Sequence, residues 1–320
     1  MIKRILQHPY CIRGVLFLCL AVACTVGLFF TFDLTDERVK PAAESSDIPL
    51  SARIANYDEV IASIRHGLRY HSQAITVRFS YGQNIQKDIA AVVGDWVEEA
   101  LQETEESTEG DYIRYQYGGY RINCSCDRSI WGRYRYTVEI IPEHYTYLAQ
   151  EEEVTEALAE IEAGFGFTPD TSDYEKIRTI YDYVCTNVKY DTVHKNNAYA
   201  HLRSTCYAAV MWHTATCQGY SVTLYRLLRD AGIGCRVITG TGIGVDSSQE
   251  YHAWNIVELE GNWYELDATW DAGKESYRYF LRGSGNFSDH IPGKPFTDND
   301  FISKYTISTV DWPCSENRKE

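Results

Sequence analysis

The chain has 320 residues, 44% of them hydrophobic, which is enough for an anchor plus one or two packed domains and too apolar for wholesale disorder. Its 45 acidic and 30 basic residues leave a formal net charge of -15, a surface that repels phosphate backbones and argues against nucleic acid as a partner. Acidity names no substrate by itself, since excess charge also serves solubility.

In chain order, Lys3, Arg4 and Arg13 precede an uncharged run from Gly14 to Phe32, and Asp33, Asp36 and Glu37 follow it. At about 1.5 Å per residue that run just crosses a hydrocarbon layer of about 30 Å. Residues 1–32 are therefore predicted as a cytoplasmic amino end and a transmembrane helix, with the rest of the chain extracytoplasmic. A cleaved signal peptide is the rival, because Ala21-Val22-Ala23 has the small-x-small form; cleavage there gives a secreted protein with Val26 to Phe32 exposed. Cys24 as a lipoprotein site is weaker, since Ala21 stands where a larger aliphatic residue is usual. Residues 33–50, with Pro41 and Pro49 and no periodicity, read as a linker.

Residues 51–150 are predicted as a small α+β domain. Ile89, Val92, Val93, Trp96, Val97 and Leu101 fall at helical spacing, while 74–81 and 134–141 alternate as strands do. Residues 151–320 are predicted as the catalytic domain. A helix over 151–162 ends at Gly164 and Gly166, and Ser172 with Glu175 forms a capping box for the next. Ile177, Ile180, Tyr181, Val184 and Val188 give that second helix an apolar stripe. A further helix runs from about Thr216 to Asp230, with Leu224, Leu227, Leu228 and Ala231 as its buried stripe and Gly232 as its left-handed stop. Strand signals follow at 235–239, 253–259 and 263–268.

Beyond the first 32 residues there are seven cysteines: Cys124, Cys126, Cys185, Cys206, Cys217, Cys235 and Cys314. An odd number leaves one thiol unpaired if the rest pair, and several can equally be small buried hydrophobes. Cys217, in Thr-Ala-Thr-Cys-Gln-Gly-Tyr, is placed on the first turn of a predicted helix, where the helix dipole and unpaired N–H groups favour thiolate and can hold an oxyanion. His252 begins a strand in Tyr-His-Ala-Trp-Asn. If Glu260-Gly261 is a two-residue turn, Thr269 lies opposite His252 and Asp267 diagonally beside it on the same face. Histidine with a carboxylate that fixes its tautomer is what an activated cysteine requires.

Cys-Gln-Gly-Tyr, His-Ala-Trp-Asn and Trp-Tyr-Glu-Leu-Asp-Ala-Thr-Trp-Asp, in that order, resemble the three motifs of the transglutaminase-like superfamily, over about Tyr174 to Gly273. The resemblance, to the membrane-anchored bacterial type, implies a papain-like α+β core with a nucleophile helix packed on an antiparallel sheet. It also implies Cys217 as nucleophile, His252 as general base and acid, and Asp267 as the orienting carboxylate. Gln218 stands where well-studied transglutaminases have tryptophan, and Met211, six residues before Cys217, replaces the upstream glutamine of the papain family. Gln218 and Trp254 are therefore only candidates for holding substrate or oxyanion. No metal or cofactor is implied.

Competing patterns are weaker. Cys206, His213 and Cys217 match no common zinc spacing. Cys124-Ser-Cys126 reads as a disulfide or buried pair, and Gly240-Thr-Gly-Ile-Gly has no following helix to receive a phosphate. Trp254, Trp263 and Trp270 read as core before cleft, and Asp271 as a loop acid. The function expected is attack on a peptide or glutamine amide of a protein substrate at the cell wall or surface, through a thioester and with hydrolysis ahead of transamidation. A non-catalytic module binding peptide or glycan is the alternative of another class.

Overall fold

The computed structural model describes residues 31–33, 56–196 and 198–313. The expected anchor and linker lie outside these residues apart from Thr31–Asp33. Those three positions form a strand, so the apolar run does not continue as helix through Phe32 as expected. Among the described residues no helix is long and apolar enough to cross a membrane.

The described residues divide into two compact units, one drawn from within 1–100 and 119–143, the other from within 101–118 and 144–320. The expected boundary at 150/151 instead falls inside a helix, Leu148–Phe165.

In the first unit β1 (Thr31–Asp33), β2 (Ile75–Tyr81), β3 (Tyr117–Arg128) and β4 (Tyr134–His144) form a sheet in the order β1-β2-β4-β3. Period-two alternation sends Ile75, Val77 and Phe79 to one face, opposite Ile140, Val138 and Tyr136 on β4. Helices α1 (Tyr57–Arg69) and α2 (Ile89–Ala100) complete the unit, and Phe79 meets Trp96 edge-on with ring centroids 5.7 Å apart. Gly67 is required where α1 approaches β2: a Cβ there would come within 2.4 Å of Ile75.

The second unit opens with α3 (Asp111–Arg114), α4 (Leu148–Phe165) and α5 (Asp173–Asn187). The capping box on α5 forms as expected, Ser172 and Glu175 bonding each other's backbone N–H. After β5 (Lys189–Tyr190), α6 (Cys206–Met211) and β6 (Thr214–Ala215) comes α7 (Cys217–Asp230). The antiparallel sheet β10-β7-β8-β9 follows, from β7 (Cys235–Ile243), β8 (Gln249–Leu259), β9 (Asn262–Leu266) and β10 (His290–Pro292), with α8 (Ala268–Asp271) between the last two and α9 (Asn299–Lys304) beyond.

The core of this unit surrounds α7. A single apolar stripe was expected on that helix, but everything from Gly219 to Leu228 is buried, because α3, α5, α6 and α8 flank it as well as β7 and β8. Its hydroxyls are accommodated by bonding back along the helix, Ser221 to the Cys217 carbonyl at 2.9 Å and Thr223 to that of Gly219 at 2.7 Å. Asp111 is fully buried; it accepts from Arg236 Nε at 2.7 Å and from the Val237 N–H at 2.8 Å, fastening the start of β7.

Candidate active site

Cys217 is the first residue of α7 and is buried, with 7% of the residue's surface exposed. The preceding Thr216 is extended and makes no side-chain cap; its hydroxyl turns to the Arg203 carbonyl at 3.3 Å and to Ser204 at 3.0 Å. The first N–H groups of α7 are thus left without a side-chain acceptor beside the thiol. Gly219 explains the third position of Cys-Gln-Gly-Tyr. A Cβ there would lie 2.7 Å from that of Ala215 and 3.1 Å from the carbonyls of Arg203 and Thr205, so only glycine lets the incoming chain press on the first turn.

The β8–β9 hairpin turns on Glu260 and Gly261, at φ 50° and 75°, both left-handed as a twist-matched two-residue turn requires. Leu259 faces Asn262 and Asn255 faces Leu266, the register expected from the sequence. β9 ends there, however. Asp267 is the N-cap of α8, so Thr269, expected opposite His252, sits in a helical turn instead. Asp267 reaches His252 nonetheless: its Oδ2 lies 2.8 Å from His252 Nε2, while its Oδ1 accepts from the Thr269 and Trp270 N–H groups at 2.9 and 3.2 Å.

Burial alone would favour the neutral acid at Asp267, yet the hydrogen bonds and charge of His252 and His290 outweigh it and hold the group at about 2. At His252 burial disfavours the imidazolium, but hydrogen bonds to Asp267 and Cys217, with their charge, raise it to about 10. Because Nε2 faces Asp267, Nδ1 is the nitrogen left for the thiol of Cys217.

The site also holds residues that the sequence did not single out. His290 on β10 places Nε2 3.1 Å from the same Asp267 Oδ2, and its Nδ1 lies 2.9 Å from Asp289 Oδ1. It stands more than twenty positions beyond Asp267 with no motif around it, and only the pairing of β10 with β7 brings it in. Asn255, the last residue of His-Ala-Trp-Asn, donates to the carbonyls of Ser221 on α7 at 3.0 Å and Arg236 on β7 at 3.2 Å, tying the nucleophile helix to the sheet. Asp271, read as a loop acid, is buried; it accepts from the Arg278 and Tyr279 N–H groups and from the Tyr181 hydroxyl, each at 2.8 Å.

The two candidate substrate or oxyanion holders fare differently. Trp254 is 1% exposed and its indole N–H donates to Glu265 at 2.7 Å, so it is a core residue and its side chain is not a donor for substrate. Gln218 is half-buried beside Cys217; its amide donates to the Tyr115 carbonyl and its oxygen accepts from Tyr251 at 3.3 Å, which anchors it and leaves one N–H for a ligand. Cys124, Cys126, Cys185, Cys206, Cys217 and Cys235 are all free thiols. Cys124 and Cys126, read as a disulfide or a buried pair, lie two residues apart on one edge strand, unbridged and half-buried. Burial pushes the Cys206 thiol up to about 12 and those of Cys185 and Cys235 higher still, which suits small buried hydrophobes.

A cleft of about 1240 Å³ opens on His252, lined among others by Tyr190, Tyr251, Trp270 and Arg278. His252, Asp267 and His290 offer ligand atoms within 4.8 Å of one another. Their mutual hydrogen bonds account for that closeness, and a cation there would have to displace both imidazoles from Asp267.

A cysteine at a helix start, an imidazole on the adjoining sheet and a carboxylate behind it make the kind of site expected of a papain-like core. Residues 164–268, about a third of the chain, match the family model of the transglutaminase-like superfamily, so this segment is a transglutaminase-like domain. The kyphoscoliosis peptidases of Mus musculus and Homo sapiens are each 32% identical to it over 111 residues, 32% of this chain but 16% of theirs, so the match spans a small part of those proteins. Among solved structures, one described as a TGase is 15% identical with a TM-score of 0.35, covering 66% of this chain and 53% of its own. A structure described as a putative cysteine protease from Cytophaga hutchinsonii is also 15% identical, with a TM-score of 0.28 over 48% of this chain and 65% of its own. The superfamily assignment rests on the sequence matches.

Proposed function

We propose that the chain is an extracytoplasmic cysteine enzyme that cleaves amide bonds in protein or peptide substrates through a thioester intermediate, with Cys217, His252 and Asp267 as its catalytic residues. The observation that carries this reading is the buried 2.8 Å contact of His252 Nε2 with Asp267, beside a cysteine at an uncapped helix start. His252, held as the imidazolium by Asp267, carries the proton of Cys217 on Nδ1, and the sulfur attacks the carbonyl carbon. The N–H groups of the first turn of α7 hold the oxyanion, and His252 returns the proton to the leaving amine. Water, deprotonated by His252, then attacks the thioester carbonyl; the C–S bond breaks, releasing the acid and the Cys217 sulfur, and the proton on His252 restores the starting pair. The cleft of about 1240 Å³ that opens on His252 offers room for a substrate segment, and hydrolysis is put ahead of amine transfer because the two relatives that match over this segment are named peptidases. Placement outside the cytoplasm rests on the basic and then apolar residues 3–32.

The test follows iodoacetamide labelling of every cysteine by mass spectrometry across pH, in the wild type and in His252→Ala. Cys217 is expected to label fastest and to lose that lead without His252. A Cys217 that labels no faster than Cys124 and Cys126, whatever stands at 252, sinks the proposal.

A further inference from the structure

We propose that His290 is a positioning residue of this site: backed by Asp289, it clamps the carboxylate of Asp267 so that Asp267 can aim His252 at Cys217. The inference rests on the catalytic reading above and adds to it two residues that lie beyond the matched segment, which ends at 268.

Asp267 meets four donors. Two backbone N–H groups fix Oδ1, and His252 and His290 share Oδ2 at 2.8 and 3.1 Å. Without His290, Oδ2 would be held by His252 alone, and only the two bonds to Oδ1 would resist turning of the carboxylate when His252 moved. With it, three donors other than His252 fix the carboxylate before the reaction begins.

His290 is itself held on every side. Its side chain is fully enclosed, and its second nitrogen meets Asp289 at 2.9 Å. Phe287 stacks on the ring at 3.9 Å between centroids, with Trp270 at 4.4 Å and Trp254 at 5.0 Å. Asp289 is in turn held by the Tyr279 hydroxyl at 2.8 Å. The result is a continuous line, Asp289–His290–Asp267–His252, ending at Cys217. Such a line exceeds what core packing alone requires: a phenylalanine would fill the same aromatic slot without burying two more polar atoms.

The experiment compares iodoacetamide labelling of Cys217 with that of Cys124 in the full chain as wild type, His290→Leu, His290→Gln and Asp289→Asn, with melting temperature measured on each. Leucine removes the donor to Asp267, whereas glutamine can keep an N–H near the position of Nε2. The expected result is a loss of about tenfold in Cys217 labelling for His290→Leu, with recovery to within about threefold of wild type for His290→Gln even where the two melt alike. Asp289→Asn is expected to fall between them, and it decides the matter with the glutamine variant should His290→Leu not fold. Labelling unchanged in His290→Leu, or lost equally in the leucine and glutamine variants in step with melting temperature, overturns the positioning role while leaving the catalytic reading intact. A wild-type Cys217 with no excess reactivity overturns both.

Discussion

At the scale of single residues, the contact between His252 and Asp267 links reactivity to stability. His252 is raised from 6.5 to about 10, so its contribution to folding is complete below about 6.5 and is lost as pH rises through about 10. Asp267 is lowered from 3.8 to about 2, so its contribution is present above about 3.8 and is lost as pH falls through about 2. In Asp267→Asn the carboxylate charge is lost and its hydrogen bond to His252 weakened, so Cys217 is left to oppose the burial of His252. Urea midpoints measured from pH 6 to pH 10 should therefore fall less steeply in the variant than in the wild type. Parallel curves would mean that the two side chains do not titrate as a pair. The buried cysteines give the complementary expectation: with thiols held high by burial, Cys185, Cys206 and Cys235 should label more slowly than Cys217 in the same mass-spectrometric experiment.

At the scale of elements, β7 does more than carry sequence across the sheet. Gly240 faces His252 on one side and pairs with Pro292 of β10 on the other. A Cβ at Gly240 would lie 2.1 Å from the Ile291 carbonyl oxygen and 2.9 Å from the Gly293 nitrogen, both backbone atoms that cannot step aside. Gly242 is as confined, with a Cβ falling 2.9 Å from Trp270 and 3.1 Å from the Cβ of His252. Gly240 and Gly242 thus answer to close approach of strands and rings. Gly240→Ala should cost about 1–3 kcal/mol in a urea titration. It should also slow Cys217 labelling by displacing β10 and His290. Wild-type stability and labelling in this variant would show that β10 yields freely.

At the scale of the whole molecule, every residue assigned to the chemistry lies in the second unit, and the first interrupts it as an insertion at 119–143. The ends of that insertion are joined within the second unit itself, where the Tyr145 N–H donates to the Gln116 carbonyl at 3.4 Å. A chain beginning at Leu101, with 119–143 replaced by a short glycine-serine turn, should fold and keep the reactivity of Cys217. Size-exclusion chromatography and labelling check it; an aggregated product would assign the first unit a part in stability that the contacts of the second do not require.

Local rules were enough to locate much of this protein. The capping box at Ser172, the glycine stops at Gly166 and Gly232 and the turn at Glu260-Gly261 depend on neighbours a few residues apart, so the sequence determined those helix ends and the hairpin register that sets Asp267 beside His252. The three motifs likewise named the domain. Long-range pairing decided the rest. β10 contributes three residues with no periodic pattern, and its partner β7 lies about fifty positions earlier, so nothing local marks His290 or Asp289. The enclosure of α7 on every face and the withdrawal of Trp254 into the core depend on which elements close around them, and that is settled only when the whole sheet and its helices are packed.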